Sequence, residues 1–167
     1  MAARVDLNGI KTQIKSVLDS ANTTTASPID LSSSLTSRVQ RVLTVHPDFI
    51  KPQASFYPLV TCYISGKTIE NMDISIDQLN SKRRAIVNID IVGAVFNQNM
   101  LSVDADPADN DINYLMENVE LALRASPNLA SNVKWQVADG VTYFSAIVSQ
   151  NAAIRAGVLS LKATVLY

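Results

Sequence analysis

Apolar and polar positions alternate most regularly over residues 84–96. Ala85, Val87, Ile89, Ile91 and Val95 fall on one side, and Ile86, Asn88, Asp90 and Val92 on the other. Period-two alternation in β-branched residues predicts a long strand with one buried and one mixed face, in the middle of its sheet. The mixed face, with Asn88 and Asp90, is expected to meet solvent or a neighbour. Helical spacing takes over in two places. Over residues 7–21, Leu7, Ile10, Ile14, Val17, Leu18 and Ala21 form one apolar face behind Asp6, a suitable N-cap. Over residues 107–125, Ile112, Leu115, Met116, Val119, Ala122 and Leu123 form the buried face. Tyr114 and Leu121 lie on the opposite side of that helix with Asn118 between them. They read either as ordinary exposed residues or as a thin second stripe for another subunit.

Shorter patterns fill the rest of the chain. Residues 38–46 read as a strand ended by Pro47, although Leu35, Val39, Val42 and Leu43 also fit a helix. Residues 47–57 form a proline-punctuated loop. Residues 58–66 form a strand, with Gly66 opening a turn. Met72, Ile74 and Ile76 alternate with polar residues, which reads as a weak strand or an extended β-arm. Residues 133–137 and 141–149 read as two strands of a hairpin around Asp139-Gly140, the second apolar on both faces. A last strand runs over residues 154–167. The Ser/Thr-rich stretch 22–37 is a long loop that buries little: either a loose connection or an arm that orders against a partner. The sum is an α+β fold: a mostly antiparallel sheet of about four to six strands, two main helices on one face and an extended loop or β-arm. The length of 167 residues suits one domain over residues 1–167.

Charge changes this picture modestly. Only 17 % of residues are charged, below the usual roughly 25 %, as expected where partners cover part of the surface or where the core is large. A net charge of −1 gives no broad basic footprint for nucleic acid. Basic residues gather only at Lys82, Arg83 and Arg84, where the central strand begins. That triplet reads either as a solvated strand end that discourages edge pairing or as a contact to an acidic partner or DNA phosphate.

Candidate chemistry is thin. Asp104, Asp106, Asp109 and Asp111 cluster in eight residues, but their spacing does not match a calcium loop. Helix capping explains them better: Asp106 as N-cap, Pro107 at the first helical position, Asp109 and Asp111 in the first turns. The single cysteine, Cys62, sits in an apolar run far from the single histidine, His46, so an inert buried thiol and a surface histidine are expected. There is no glycine-rich phosphate loop, zinc-ligand pair or nucleophile elbow. No catalytic residue, metal or cofactor is predicted, and the chain is read as a non-enzyme. No stretch has signal-peptide or membrane-span character, so a soluble protein made in a cytoplasm, without a membrane partner, is expected.

The order of elements resembles the tail terminator proteins of tailed bacteriophages and the related tail-completion and neck proteins. The residues carrying the resemblance are the helix at 7–21, Tyr57-Pro58-Leu59-Val60, the run from Arg84 to Gly93, the Asp-rich lead into the helix containing Met116 to Leu123, and the last strand from Leu159 to Tyr167. The long 22–37 stretch and long final hairpin depart from the shortest members. The resemblance implies a homo-oligomeric ring, typically a hexamer, on the head-proximal end of the tail tube. One ring face would bind the tail tube protein and stop its polymerisation. The other would dock the head connector or adaptor protein, with DNA passing through the lumen unread, in a virion assembled in the host cytoplasm. On that expectation Lys82, Arg83 and Arg84 pair with Asp104, Asp106 and Asp109 of a neighbouring subunit, and Tyr114 and Leu121 add apolar contact. A head-completion or adaptor protein is the alternative within this class. A small cytoplasmic ligand-binding domain or enzyme, or a nucleic-acid-binding module, are the alternatives outside it.

Overall fold

Two helices and six strands carry the chain. In order they are α1 (Leu7–Asn22), β1 (Arg41–Leu43), β2 (Leu59–Asn71), β3 (Arg83–Asn97), α2 (Pro107–Arg124), β4 (Asn128–Ala130), β5 (Val133–Ser149) and β6 (Ala152–Leu166). The structure is a computed structural model, and it describes residues 5–22, 29–71, 83–97, 107–126, 128–130, 133–149 and 151–166. The strands form one sheet in the order β1-β2-β3-β6-β5-β4. Only the β1–β2 pair is parallel. The fold is therefore α+β, with a mostly antiparallel sheet and two helices, as the periodicities predict. The long strand expected at 84–96 is β3, which lies between β2 and β6 at the middle of the sheet.

Burial follows the alternation. Ala85, Val87, Ile89 and Ile91 of β3 are fully buried, together with Leu159, Leu161, Ala163 and Val165 of β6. They share one core with Ile10, Ile14 and Leu18 of α1 and with Ile112, Leu115, Met116, Val119 and Leu123 of α2. All six residues expected on the buried face of α2 are there. At the start of α1 the Gly9 N–H donates to Asp6 Oδ1 at 2.8 Å, so Asp6 caps the helix as expected.

α2 crosses the sheet over two facing glycines, Gly93 of β3 and Gly157 of β6, which are register partners. A Cβ on Gly157 would stand 2.7 Å from Met116 Cγ and 3.0 Å from Val141 Cγ1. A Cβ on Gly93 would stand 2.6 Å from Met116 Sδ. Glycine at this cross-strand pair lets the helix approach the sheet, because any larger side chain would displace Met116.

Several expectations are corrected. Asp139-Gly140 is not a hairpin turn. β5 continues through it as one strand, and the hairpin is the β5–β6 pair. Between the pairs Val137↔Leu161 and Val141↔Leu159, β5 supplies residues 138–140 where β6 supplies only Ser160. Gly140, at φ +137°, takes up the extra length. An Asp-Gly pair offers backbone freedom to a bulge as readily as to a turn. Gly66 opens no turn either: β2 runs on to Asn71, with Ser65 as the extra residue of a bulge between Ile64 and Gly66. The strand expected over 38–46 is only Arg41–Leu43. The proline-rich loop contains two short 3₁₀ turns, Pro47–Phe49 and Ala54–Phe56. β4 had no counterpart in the pattern reading. The arm expected around Met72, Ile74 and Ile76 lies outside the described residues, as does Tyr167.

The Ser/Thr-rich stretch buries more than expected. Within its described part, Leu31 has no solvent exposure. Asn118 Nδ2 donates to the carbonyls of Leu31 and Ser33 at 3.2 and 2.9 Å. Asp111 accepts from the Thr36 N–H and hydroxyl at 3.0 and 3.1 Å. Asp111 is itself 8 % exposed. Its role is thus to hold residues 29–37 onto α2, rather than only to complement the helix end.

The mixed face of β3 is also divided. Val92 and Ala94 are buried there with Leu59 and Ala156 in a second, smaller core, against which Ile50, Phe56 and Tyr57 pack. The proline-punctuated segment thus covers one end of the face that the helices leave open. Ile86, Asn88 and Asp90 remain partly exposed at the other end.

Candidate assembly interface

Two of the charges expected to pair between subunits, Arg84 and Asp109, have partners of opposite sign within the chain. Arg84 forms an ion pair with Glu70, its cross-strand register partner, and its Nε donates to Glu70 Oε2 at 2.8 Å. Asp109 accepts from Arg155 Nε at 3.1 Å, and Arg155 also donates to Ser145 Oγ. These side chains are about one-third to one-half exposed, so each pair contributes little to stability. The two pairs sit at opposite ends of the sheet. Arg84 opens β3, whereas Arg155 faces Val95 near its end. Eleven residues of strand separate the two positions, roughly 36 Å at about 3.3 Å per residue. No pairing between Arg84 and Asp109 of one copy is possible. Arg83 begins β3 beside Arg84. Lys82, Asp104 and Asp106 lie outside the described residues.

Tyr114 and Leu121 are exposed on α2, at 43 % and 54 %. Asn118 between them is engaged with the 31–33 loop. The two apolar residues are therefore separated by an intramolecular tether rather than joined in a stripe.

The larger apolar surface lies elsewhere, on β5 beyond its bulge. Residues 142–149 are all exposed. Tyr143, Phe144, Ile147 and Val148 stand at 48, 46, 76 and 38 %. The sequence signal was present, since this stretch is apolar on both faces. What the sequence could not give is that the strand lies at the rim. β4 is only three residues long and pairs β5 at Val133 and Lys134 alone. Beyond those, β5 has no described strand on its outer side. β1 leaves the opposite rim open in the same way, since it covers only Leu59, Val60 and Thr61 of β2.

Polar groups elsewhere are committed to structure. On the open face Asp90 accepts from Ser160 Oγ at 2.9 Å. Burial, then the neighbouring Asp90 carboxylate, pushes the Tyr63 hydroxyl above its ordinary range. A groove of about 470 Å³ runs beside them, lined by Asn88, Asp90, Gln136 and Lys162. Cys62 is buried, and burial raises its thiol to about 11 despite the opposing pull of Lys11 and Lys15. It is the inert thiol expected, because only the thiolate reacts. His46 is a half-exposed side chain whose Nδ1 accepts from the Asp48 N–H at 3.3 Å. Among the described residues no three His, Cys, Asp or Glu side chains gather to hold a metal ion. No described helix is long and apolar enough to cross a membrane. The chain matches no protein-family model, and no curated protein matches it in sequence.

Proposed function

We propose that this chain is a structural assembly subunit whose work is done by surfaces rather than by catalysis. Within that class we read it as a bacteriophage tail terminator of the tail–neck region, forming a ring on the head-proximal end of the tail tube. The observation that carries the first step is the uncharged, exposed end of β5 in a sheet whose helix-covered face is fully packed. Exposed apolar strand edges mark association surfaces. The second step rests on element order: an N-terminal helix, a long central strand, a second helix and a closing β-hairpin on a mostly antiparallel sheet.

In this reading copies join head to tail into a closed ring, a hexamer that matches the symmetry of the tail tube. One ring face binds the last tail tube ring, the other receives the head connector or adaptor, and DNA passes through the lumen. The protein would reside in the virion. The test mixes the purified protein with polymerising tail tubes and follows tube length and end structure by electron microscopy. Capped, shortened tubes with a ring at one end are expected. Unchanged tube length and bare ends would refute the terminator role.

A further inference from the structure

Among the described residues the sheet has two open rims, which are unlike each other and fit each other. Residues 141–149 of β5 contain no charged residue and no proline, the devices that natural edge strands use against pairing. The free part of β2, residues 62–71, carries Lys67 and Glu70 but also exposes Ile69 at 49 %. Strands β2, β3, β6 and β5 alternate in direction, so β5 runs opposite to β2. A second copy laid beside the first would therefore continue the antiparallel sheet across the junction.

We infer that residues 141–149 of one copy pair edge to edge with residues 62–71 of β2 in the next copy. The inference rests on the ring reading above and supplies its subunit contact. Register supports it. Residues 141–149 lie level with the end of β3 from Ile91 onward, whereas residues 62–71 lie level with Arg83 to Ile91. Copies must therefore join with a stagger along the strands, which is what a sheet needs in order to close on itself. The short strands β1 and β4 cap opposite ends of the two rims, at Leu59–Thr61 and Val133–Lys134, so neither blocks a staggered neighbour. Pairing β5 with a second β5 about a two-fold axis would leave the β2 rim open in both copies and could not propagate into a ring.

The test is native mass spectrometry of the full chain with one charge placed on each rim: Ile147→Lys on β5 and Ile69→Lys on β2. Both positions are exposed, and thermal melts matching the unaltered protein show that each variant folds. The unaltered chain is expected to form rings, and each variant alone is expected to be monomeric. Their equimolar mixture should stop at a dimer, because one intact β5 rim meets one intact β2 rim and both outer rims are blocked. Dimers of Ile69→Lys alone would show β5 pairing with itself and overturn the proposal. Rings that survive both charges would also overturn it while leaving the ring reading standing. A chain that stays monomeric would overturn edge pairing as well, and capping of tube ends would then decide the ring reading separately.

Discussion

β5 lives in two environments. Before its bulge, Val133, Trp135 and Val137 are 6–8 % exposed and alternate with exposed polar residues. Beyond it, Tyr143, Phe144, Ile147 and Val148 are 38–76 % exposed, with apolar residues on both faces. The first half belongs to the core shared with β6 and the helices. Among the described residues the second half is paired on one side only, by β6. Apolar residues in the two halves thus sit differently: in one they are sealed in the core, and in the other they face outward, where the proposed neighbour would cover them. A bulge in which residues 138–140 stand against Ser160 alone separates the two.

Substitutions can break or sharpen this contrast. The largest effect is expected in the sealed region. Leu161→Ala, at 1 % exposure, should lower unfolding free energy in a urea titration by about 2–5 kcal/mol. Ile147→Ala, at 76 % exposure, should change it by no more than roughly 0.5 kcal/mol. Equal losses at the two positions would abolish the distinction. Next comes the close approach of α2. Gly157→Ala should cost about 1–3 kcal/mol, because the added methyl would stand 2.7 Å from Cγ of the fully buried Met116 and force it to shift. An unaffected melt would mean that the helix can ride up on the sheet.

Comparable in size is the tether of the 29–37 segment. Asp111→Ala removes the acceptor for both Thr36 donors and should cost about 1–3 kcal/mol, together with faster amide exchange at Thr36. The smallest effect is read from pH. Cys62 has its folded pKa raised above the ordinary thiol value, so the folded state holds its proton more tightly than the unfolded chain. This contribution is intact below pH 9 and is lost as pH rises through about 11. Cys62→Ala should lose less stability across that window than the unaltered chain. Parallel curves would remove Cys62 from the alkaline transition.

Elements governed by local pattern were legible in the sequence. The alternation of β3, the buried set of α2 and the Asp6 cap all follow from residue order, because one periodicity dominates each segment. What escaped was set by distant partners. Asp139-Gly140 has the same local chemistry in a turn as in a bulge, and only the long facing run of β6 decides for the bulge. Gly93 and Gly157 become a pair only once β3 and β6 are in register under Met116. Leu31 and Thr36 lie in a segment that looks polar, yet Asn118 and Asp111 hold it against α2. The exposed apolar surface proposed for assembly was half legible: the apolar character of 141–149 was visible, but its position at a rim depends on β4 being too short to cover it. The charges singled out instead, Arg84 and Asp109, proved to have neighbours of opposite sign within the chain.

Hydrogen–deuterium exchange along β5 tests the central claim most directly, since one strand carries both halves of the comparison. In the isolated subunit, residues 133–137 should exchange slowly, whereas the amides of 141–149 that point away from β6 should exchange quickly. On assembly the second set should slow to the level of the first, with 133–137 unchanged. Protection that appears elsewhere while 141–149 keeps its fast exchange would contradict the account.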